Sequence, residues 1–204
     1  MPCRNVTKID ISNSYYHIYA RGHSKSDIFR DDEDYRVYFN LLKRYLGSKP
    51  EKDGSGRLYV NLSDEINLIC YCLMPNHFHL LCYQIEEGSM TKLMRCVLSS
   101  YSKFFNNKYE LSGSIFETTY KASMIDSDQY LIHISRYIHL NPDKWEIYKY
   151  SSVKYFSGKP APSWIKTGRI KDLFDSQNEY INFLRDYSDK KQSYKLIKSS
   201  LANK

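Results

Sequence analysis

The stretch Tyr71-Cys72-Leu73-Met74-Pro75-Asn76-His77-Phe78-His79-Leu80-Leu81-Cys82 leaves this chain few ways to fold. An apolar run from Ile66 to Met74 meets a Pro-Asn corner, and a second apolar run follows at once. Proline presets φ at the first corner position and asparagine tolerates the conformations beside it, so the two runs read as an antiparallel hairpin. Side chains alternate along a strand, which puts His77 and His79 on one face and Phe78, Leu80 and Cys82 on the other. With the apolar set turned to a core, two imidazoles stand together on a rigid element. That is a two-ligand metal platform if their face borders a cleft. The same spacing also suits two half-buried or surface histidines, and 6 His in 204 residues produce a His-x-His readily by chance.

Lys and Arg number 30 against 23 Asp and Glu, a net charge of +7, and 20 Tyr with 9 Phe accompany this surplus. Basic charge among aromatic rings suits single-stranded nucleic acid, where grooves track phosphates and rings stack on bases. Compositional bias toward Tyr, Lys, Asn and Ile explains the same numbers without a nucleic acid. Hydrophobic content of 42% and charged content of 26% describe an ordinary globular chain of one or two domains. No apolar run approaches the ~18 residues of a membrane span. The first residues, Met1-Pro2-Cys3-Arg4-Asn5, lack an apolar signal core, so the expectation is a cytoplasmic protein with no membrane partner. Five cysteines, at 3, 70, 72, 82 and 96, are an odd number and read as reduced thiols.

In chain order, Tyr15 to Gly22 has strand character and delivers Arg21 and Lys25 near its end. Asp31-Asp32-Glu33-Asp34 opens a helix, since carboxylates favour the positive end of its dipole, and Tyr35, Tyr38, Phe39, Leu42 and Leu46 form its apolar stripe. Those acids read as a cap in preference to a metal site. A polar loop over 47–64, with room for a short strand at Val60 and Leu62, precedes the hairpin. A helix from about Met90 to Lys108 follows, then a strand over Ile115 to Ile125. A further helix is capped by Asp126 or Ser127 and stopped by Pro142. This order predicts an α+β fold: a four- to five-stranded antiparallel sheet with helices packed mainly on one face. Residues 147–204 form a C-terminal extension, packing on or continuing the same domain through Trp164, Phe174 and Tyr180, with a basic tail from about 188.

On the helix before Pro142, Tyr137 and Asn141 are four residues apart and share a face, with His133 one turn earlier. Two neutral imidazoles and an amide oxygen suit a divalent ion with open positions, and a phenol can attack phosphorus and become covalently attached. Only about 0.1% of an ordinary tyrosine is phenolate at pH 7, so a base or a cation must help. Spacing by itself does not single out Tyr137 among the 20 tyrosines.

The segment Tyr71 to Leu81 resembles the His-hydrophobic-His motif of the HUH-type tyrosine transposases, the single-strand class of insertion-sequence enzymes. Ser135-Arg136-Tyr137-Ile138-His139-Leu140-Asn141-Pro142 resembles the catalytic-helix segment of the REP-associated group within that class. His17-Ile18-Tyr19-Ala20-Arg21-Gly22, Ile28 to Tyr35, Tyr148-Lys149-Tyr150-Ser151-Ser152 and Trp164-Ile165 also match, so the likeness spans residues 15 to 187.

The resemblance implies a ferredoxin-like catalytic domain over residues 1–146 and a Mg²⁺- or Mn²⁺-dependent enzyme that nicks single-stranded DNA near a hairpin, as a monomer or homodimer. It implies Tyr137 as the nucleophile that takes a 5′-phosphotyrosine link, His77 and His79 as metal ligands, and Asn141 as the third polar ligand. Arg21, Lys25, Lys121 and Arg136 would contact the DNA backbone. Thr119 stands where members often carry a basic residue, and Asp143-Lys144-Trp145-Glu146 replaces a Val-Arg-Ala-Gly-like stretch. These departures bear on DNA contacts. Two other functions stay open: a hairpin-binding protein of the same fold that does not cut, and a metal-dependent phosphodiesterase using water, with Tyr137 structural.

Overall fold

The computed structural model describes residues 10–187. Its sheet contains β1 (Ser14–Arg21), β2 (Ile66–Met74), β3 (His77–Gln84) and β4 (Lys121–Ile125), in the order β2-β3-β1-β4 with every pairing antiparallel. Helix α1 (Asp32–Leu46) connects β1 to β2, and α2 (Ser89–Tyr109) connects β3 to β4, which is the ferredoxin-like arrangement. The hairpin forms as the Pro-Asn corner requires, with Met74 opposite His77 and Leu73 opposite Phe78.

The two faces of the sheet differ because alternation divides their side chains. Tyr16, Ile18, Phe78, Leu80 and Cys82 turn to one face and are buried. There α1 and α2 cover them, with Tyr38 of α1 against both Phe78 and Tyr101 of α2. His17, Tyr19, Arg21, His77 and His79 share the other face. Across it lies α3 (Asp128–His139), in contact with β2 and β3. The helical layer is thus α1 with α2, and α3 stands apart on the histidine face.

Local chemistry fixes the helix starts. Asp31 accepts from the backbone N–H groups of Glu33 and Asp34 in a capping box, and Lys108 ties Asp31, Glu33 and Asp34 together, so the acid cluster is a cap. Ser127 caps α3 by accepting from Tyr130 N. Two expectations need correction. The strand expected over Ile115 to Ile125 begins only at Lys121: Phe116 pairs once with Gly22, and its buried ring packs edge-on to Phe78. Glu117 N–H still donates to Arg21 O, and the side chains of Glu117 and Thr118 reach the rim of a cleft. In the 47–64 loop no strand forms at Val60 and Leu62. Val60 is exposed, while Leu62 is buried and its N–H donates to Tyr45 O.

Residues 147–187 close the free edge of β2. Tyr150 O accepts from Leu73 N, Tyr71 O from Ser152 N, and Leu68 O from Lys166 N. Such cover removes an unpaired strand edge. The same segment, which includes α4 (Val153–Phe156) and α5 (Gly168–Lys171), adds Val153, Phe156, Trp164, Ile165, Ile170 and Tyr180 to the common core. A helix over 177–187 ends the described chain. Buried His139, at the end of α3, bonds Tyr180 Oη at 2.6 Å and Ser152 Oγ at 2.8 Å, joining this segment to the sheet. Cys70, Cys72 and Cys82 are buried free thiols and Cys96 is a half-buried one; Cys3 and the basic tail from about 188 lie outside the described residues. No described helix is long and apolar enough to cross a membrane.

Candidate active site

Strand alternation and the β1–β3 register bring Arg21 opposite His77 and Tyr19 opposite His79. Above them α3 supplies Tyr137, whose ring stands edge-on to His79 at 5.3 Å and to His17 at 5.8 Å between centroids. The next residue, Ile138, is fully buried, so the helix face is fixed by packing while Tyr137 remains 51% exposed. Tyr137, His77 and His79 line one cleft of about 230 Å³ together with Tyr19, Ala20, Arg21, Glu117, Thr118 and Lys121.

One turn beyond Tyr137, Asn141 reaches the first histidine: its Oδ1 lies 2.9 Å from His77 Nε2. On the other side of that ring, His77 Nδ1 lies 2.6 Å from Asn76 Oδ1. Asn76 Nδ2 donates to Lys25 O, which settles that its oxygen faces the ring. His77 therefore meets an acceptor at each nitrogen, and a neutral imidazole has one N–H to offer. With the proton on Nδ1, bonded to Asn76, the Nε2 lone pair confronts the Asn141 oxygen. The confrontation is relieved if the amide turns its NH₂ to the ring, if the ring becomes an imidazolium, or if a cation sits between the lone pairs.

The imidazolium is disfavoured. Burial lowers the His77 pKa, Asn141 opposes that shift, and nearby Arg21 adds to it. His79 is 5% exposed and its pKa is pushed well below the usual value by burial, with His17, His77 and Arg21 adding to the effect. Neutral imidazoles are the form that ligates a metal. The spacing also fits: donors on adjacent positions of an octahedral ion with bonds of 2.0–2.1 Å stand roughly 3 Å apart. Among the described residues no three His, Cys, Asp or Glu side chains converge on a cation position. An ion held here would take His77, His79 and the Asn141 amide oxygen, with its remaining positions open to water or substrate. These residues fit a hard divalent cation.

The four expected DNA-contact residues separate. Arg21 and Lys121 wall the cleft. Lys25 is exposed on the 3₁₀ turn His23–Lys25, and its carbonyl holds Asn76. Arg136 turns toward the last helix: its guanidinium lies 4.2 Å from the Phe183 ring centre and 4.3 Å from that of Tyr187, and it bonds His133 Nδ1 at 2.8 Å. It borders a neighbouring hollow with His133, Tyr137, Leu140, Asn141 and Tyr187.

Residues 59–141 match the family model described as "Transposase IS200 like". Over that stretch, under half of the chain, the sequence is similar to the IS200-like transposases. That match holds His77, His79, Tyr137 and Asn141, while β1 and α1 lie before it. A solved structure of a REP-associated tyrosine transposase bound to a REP hairpin shares this fold. It has 14% identity and a TM-score of 0.56, over 85% of this chain and 96% of that one. A protein of Deinococcus radiodurans R1 proposed to be a transposase aligns at 12% identity with a TM-score of 0.40, over 68% of this chain and 95% of that one. No curated protein matches the chain.

Three residues of the candidate site carried no role in the sequence reading: His17, Asn76 and Glu117. His17, 7% exposed, places Nε2 at 2.9 Å from His79 Nδ1. Burial lowers its pKa to about 4. Alternation along β1 puts His17, Tyr19 and Arg21 on one face, and that was a signal available in the sequence. Nothing local in the sequence tied that face to the histidines of β3.

Proposed function

We propose that this protein cuts and rejoins single-stranded DNA at hairpin-containing sites, with Tyr137 as the nucleophile. The observation that carries this reading is the half-exposed Tyr137 phenol ring standing over His79 at the mouth of a cleft with cationic walls. The phenol oxygen attacks a backbone phosphorus and its proton leaves. The bond from phosphorus to the 3′ oxygen breaks, and that oxygen takes up a proton to become a free 3′-hydroxyl. One phosphodiester is replaced by a 5′-phosphotyrosine ester, so the reverse attack by a 3′-hydroxyl rejoins strands without an external energy source.

His77, His79 and Asn141 would hold Mg²⁺ or Mn²⁺, supported by their neutral donors and spacing. Such an ion, when bound, polarises the phosphate oxygens and stabilises charge developing on the leaving oxygen. Arg21 and Lys121 neutralise the phosphates that flank the cut. The rings of Tyr19 and Tyr137 border the same cleft and offer stacking surfaces to unpaired bases. A hairpin substrate is supported by the hairpin held in the solved structure of the same fold.

Incubation of the full chain with a labelled single-stranded hairpin and Mn²⁺ tests the reading. We expect a protein–DNA adduct that survives denaturant and disappears in Tyr137→Phe. Hairpin binding without any adduct would leave a DNA-binding protein. Cleavage unchanged in Tyr137→Phe would make water the nucleophile.

A further inference from the structure

We propose that His17 is a positioning residue that accepts a hydrogen bond from His79 and thereby keeps the His79 Nε2 lone pair aimed into the cleft. His17 belongs to β1, paired with Leu81, which makes it the diagonal neighbour of His79 on the same face. The two rings lie 5.0 Å apart and nearly parallel, with His17 Nε2 at 2.9 Å from His79 Nδ1. His17 is not among the residues that line the cleft, and its bond to His79 Nδ1 places it behind that ring.

Two neutral imidazoles joined nitrogen to nitrogen hold one proton between them. If that proton is on His17, then His79 carries its own proton on Nε2, and an N–H faces the cleft. If it is on His79 Nδ1, a lone pair faces the cleft and His17 keeps its proton on Nδ1. The cleft is walled by two cations, Arg21 and Lys121, against one carboxylate, Glu117, and that balance favours an outward lone pair over an outward N–H. The neighbouring histidine has the same layout: His77 Nδ1 lies 2.6 Å from Asn76 Oδ1, an acceptor for a proton there, while Nε2 faces Asn141. Hydrogen bonding on the far nitrogen is how ligating histidines are oriented, and losing such a partner typically costs about 10–100-fold in metal affinity.

This inference rests on the proposed cation at His77 and His79, and its test separates the two. The full chain, labelled with ¹⁵N-histidine and free of metal, is examined by long-range ¹H–¹⁵N correlation at neutral pH. We expect His79 as the Nδ1–H tautomer in the parent protein. In His17→Phe, which keeps a ring and removes the acceptor, His79 becomes a tautomer mixture. His17→Gln, whose amide oxygen replaces the ring nitrogen, restores the parent spectrum. Mn²⁺ titration of the same proteins should show affinity about 10–100-fold weaker for His17→Phe and recovered in His17→Gln. A parent protein holding the Nε2–H tautomer of His79 would overturn the assignment without any variant. So would an unchanged His79 spectrum in folded His17→Phe. A parent protein that binds no Mn²⁺ yet shows the expected tautomers would refute the cation and leave the His17 bond standing.

Discussion

His77 Nε2 and Asn141 Oδ1, 64 residues apart in the chain, face one another at 2.9 Å across the junction of β3 and α3. If Asn76 holds the ring proton, the two lone pairs meet at one point, where the proposed cation would sit. Replacing Asn141 with Leu removes one donor and the repulsion together. We expect Mn²⁺ affinity to fall by about tenfold or more, by analogy with other losses around metal sites, while the thermal midpoint of the metal-free protein holds or rises. Calorimetric titration and a melting curve check both parts.

Tyr137→Phe keeps the ring that packs edge-on to His79 and His17 and removes only the hydroxyl. Since the side chain is half-exposed, stability should change by no more than about 0.5 kcal/mol. The covalent adduct should vanish. A urea titration beside the adduct assay distinguishes loss of the nucleophile from loss of the fold.

Arg21 and Lys121 wall the cleft, whereas Arg136 is sandwiched by Phe183 and Tyr187. Alanine at position 21 or 121 should weaken hairpin binding and reduce the salt dependence by about 0.7 in the log–log slope for each phosphate no longer neutralised. Alanine at 136 should leave that slope unchanged and lower stability by about 1 kcal/mol, because the cation no longer sits between the two rings. Binding isotherms over a range of NaCl concentrations measure the slopes.

His139 is fully buried, and burial pushes its pKa down to about 3 from 6.5. A depressed histidine pKa means that the unfolded chain binds the proton first. The stability is therefore present above the unfolded pKa and is lost as pH falls from about 6.5 toward the folded value. Between about pH 7 and pH 5 the loss from this residue is about 2 kcal/mol, set chiefly by the unfolded pKa. His17 acts in the same direction, so the quantity to measure is the difference between the parent protein and His139→Gln. The parent should lose the larger amount in urea midpoints taken across that range.

Gly22 follows β1 directly, where a Cβ would overlap Ser26 O and crowd the Ile28 side chain. Its N–H donates to Asn76 O, and the same turn presents Lys25 O to Asn76 Nδ2. Gly22→Ala should cost about 1–3 kcal/mol by overpacking. It should also disturb the His77 ring through Asn76, visible as a shifted His77 resonance in the ¹⁵N-histidine spectrum.

The local patterns of the sequence were enough for the hairpin, the face shared by His77 and His79, the cap at Asp31 and the helix that carries Tyr137, which ends at His139, two residues short of Asn141. Each of these rests on a period of two or 3.6 residues, or on a capping side chain, and such signals act within a few neighbours. What only the tertiary structure decided are the pairings across 62 and 64 residues: His17 behind His79, and Asn141 opposite His77. They depend on the register of β1 against β3 and on where α3 crosses the sheet, and both follow from packing of the whole core. The turning of Arg136 toward Phe183 and Tyr187, and the late start of β4 at Lys121, arise the same way. A residue's type and spacing fix which face it occupies; what stands across from it is set by segments far away in the chain.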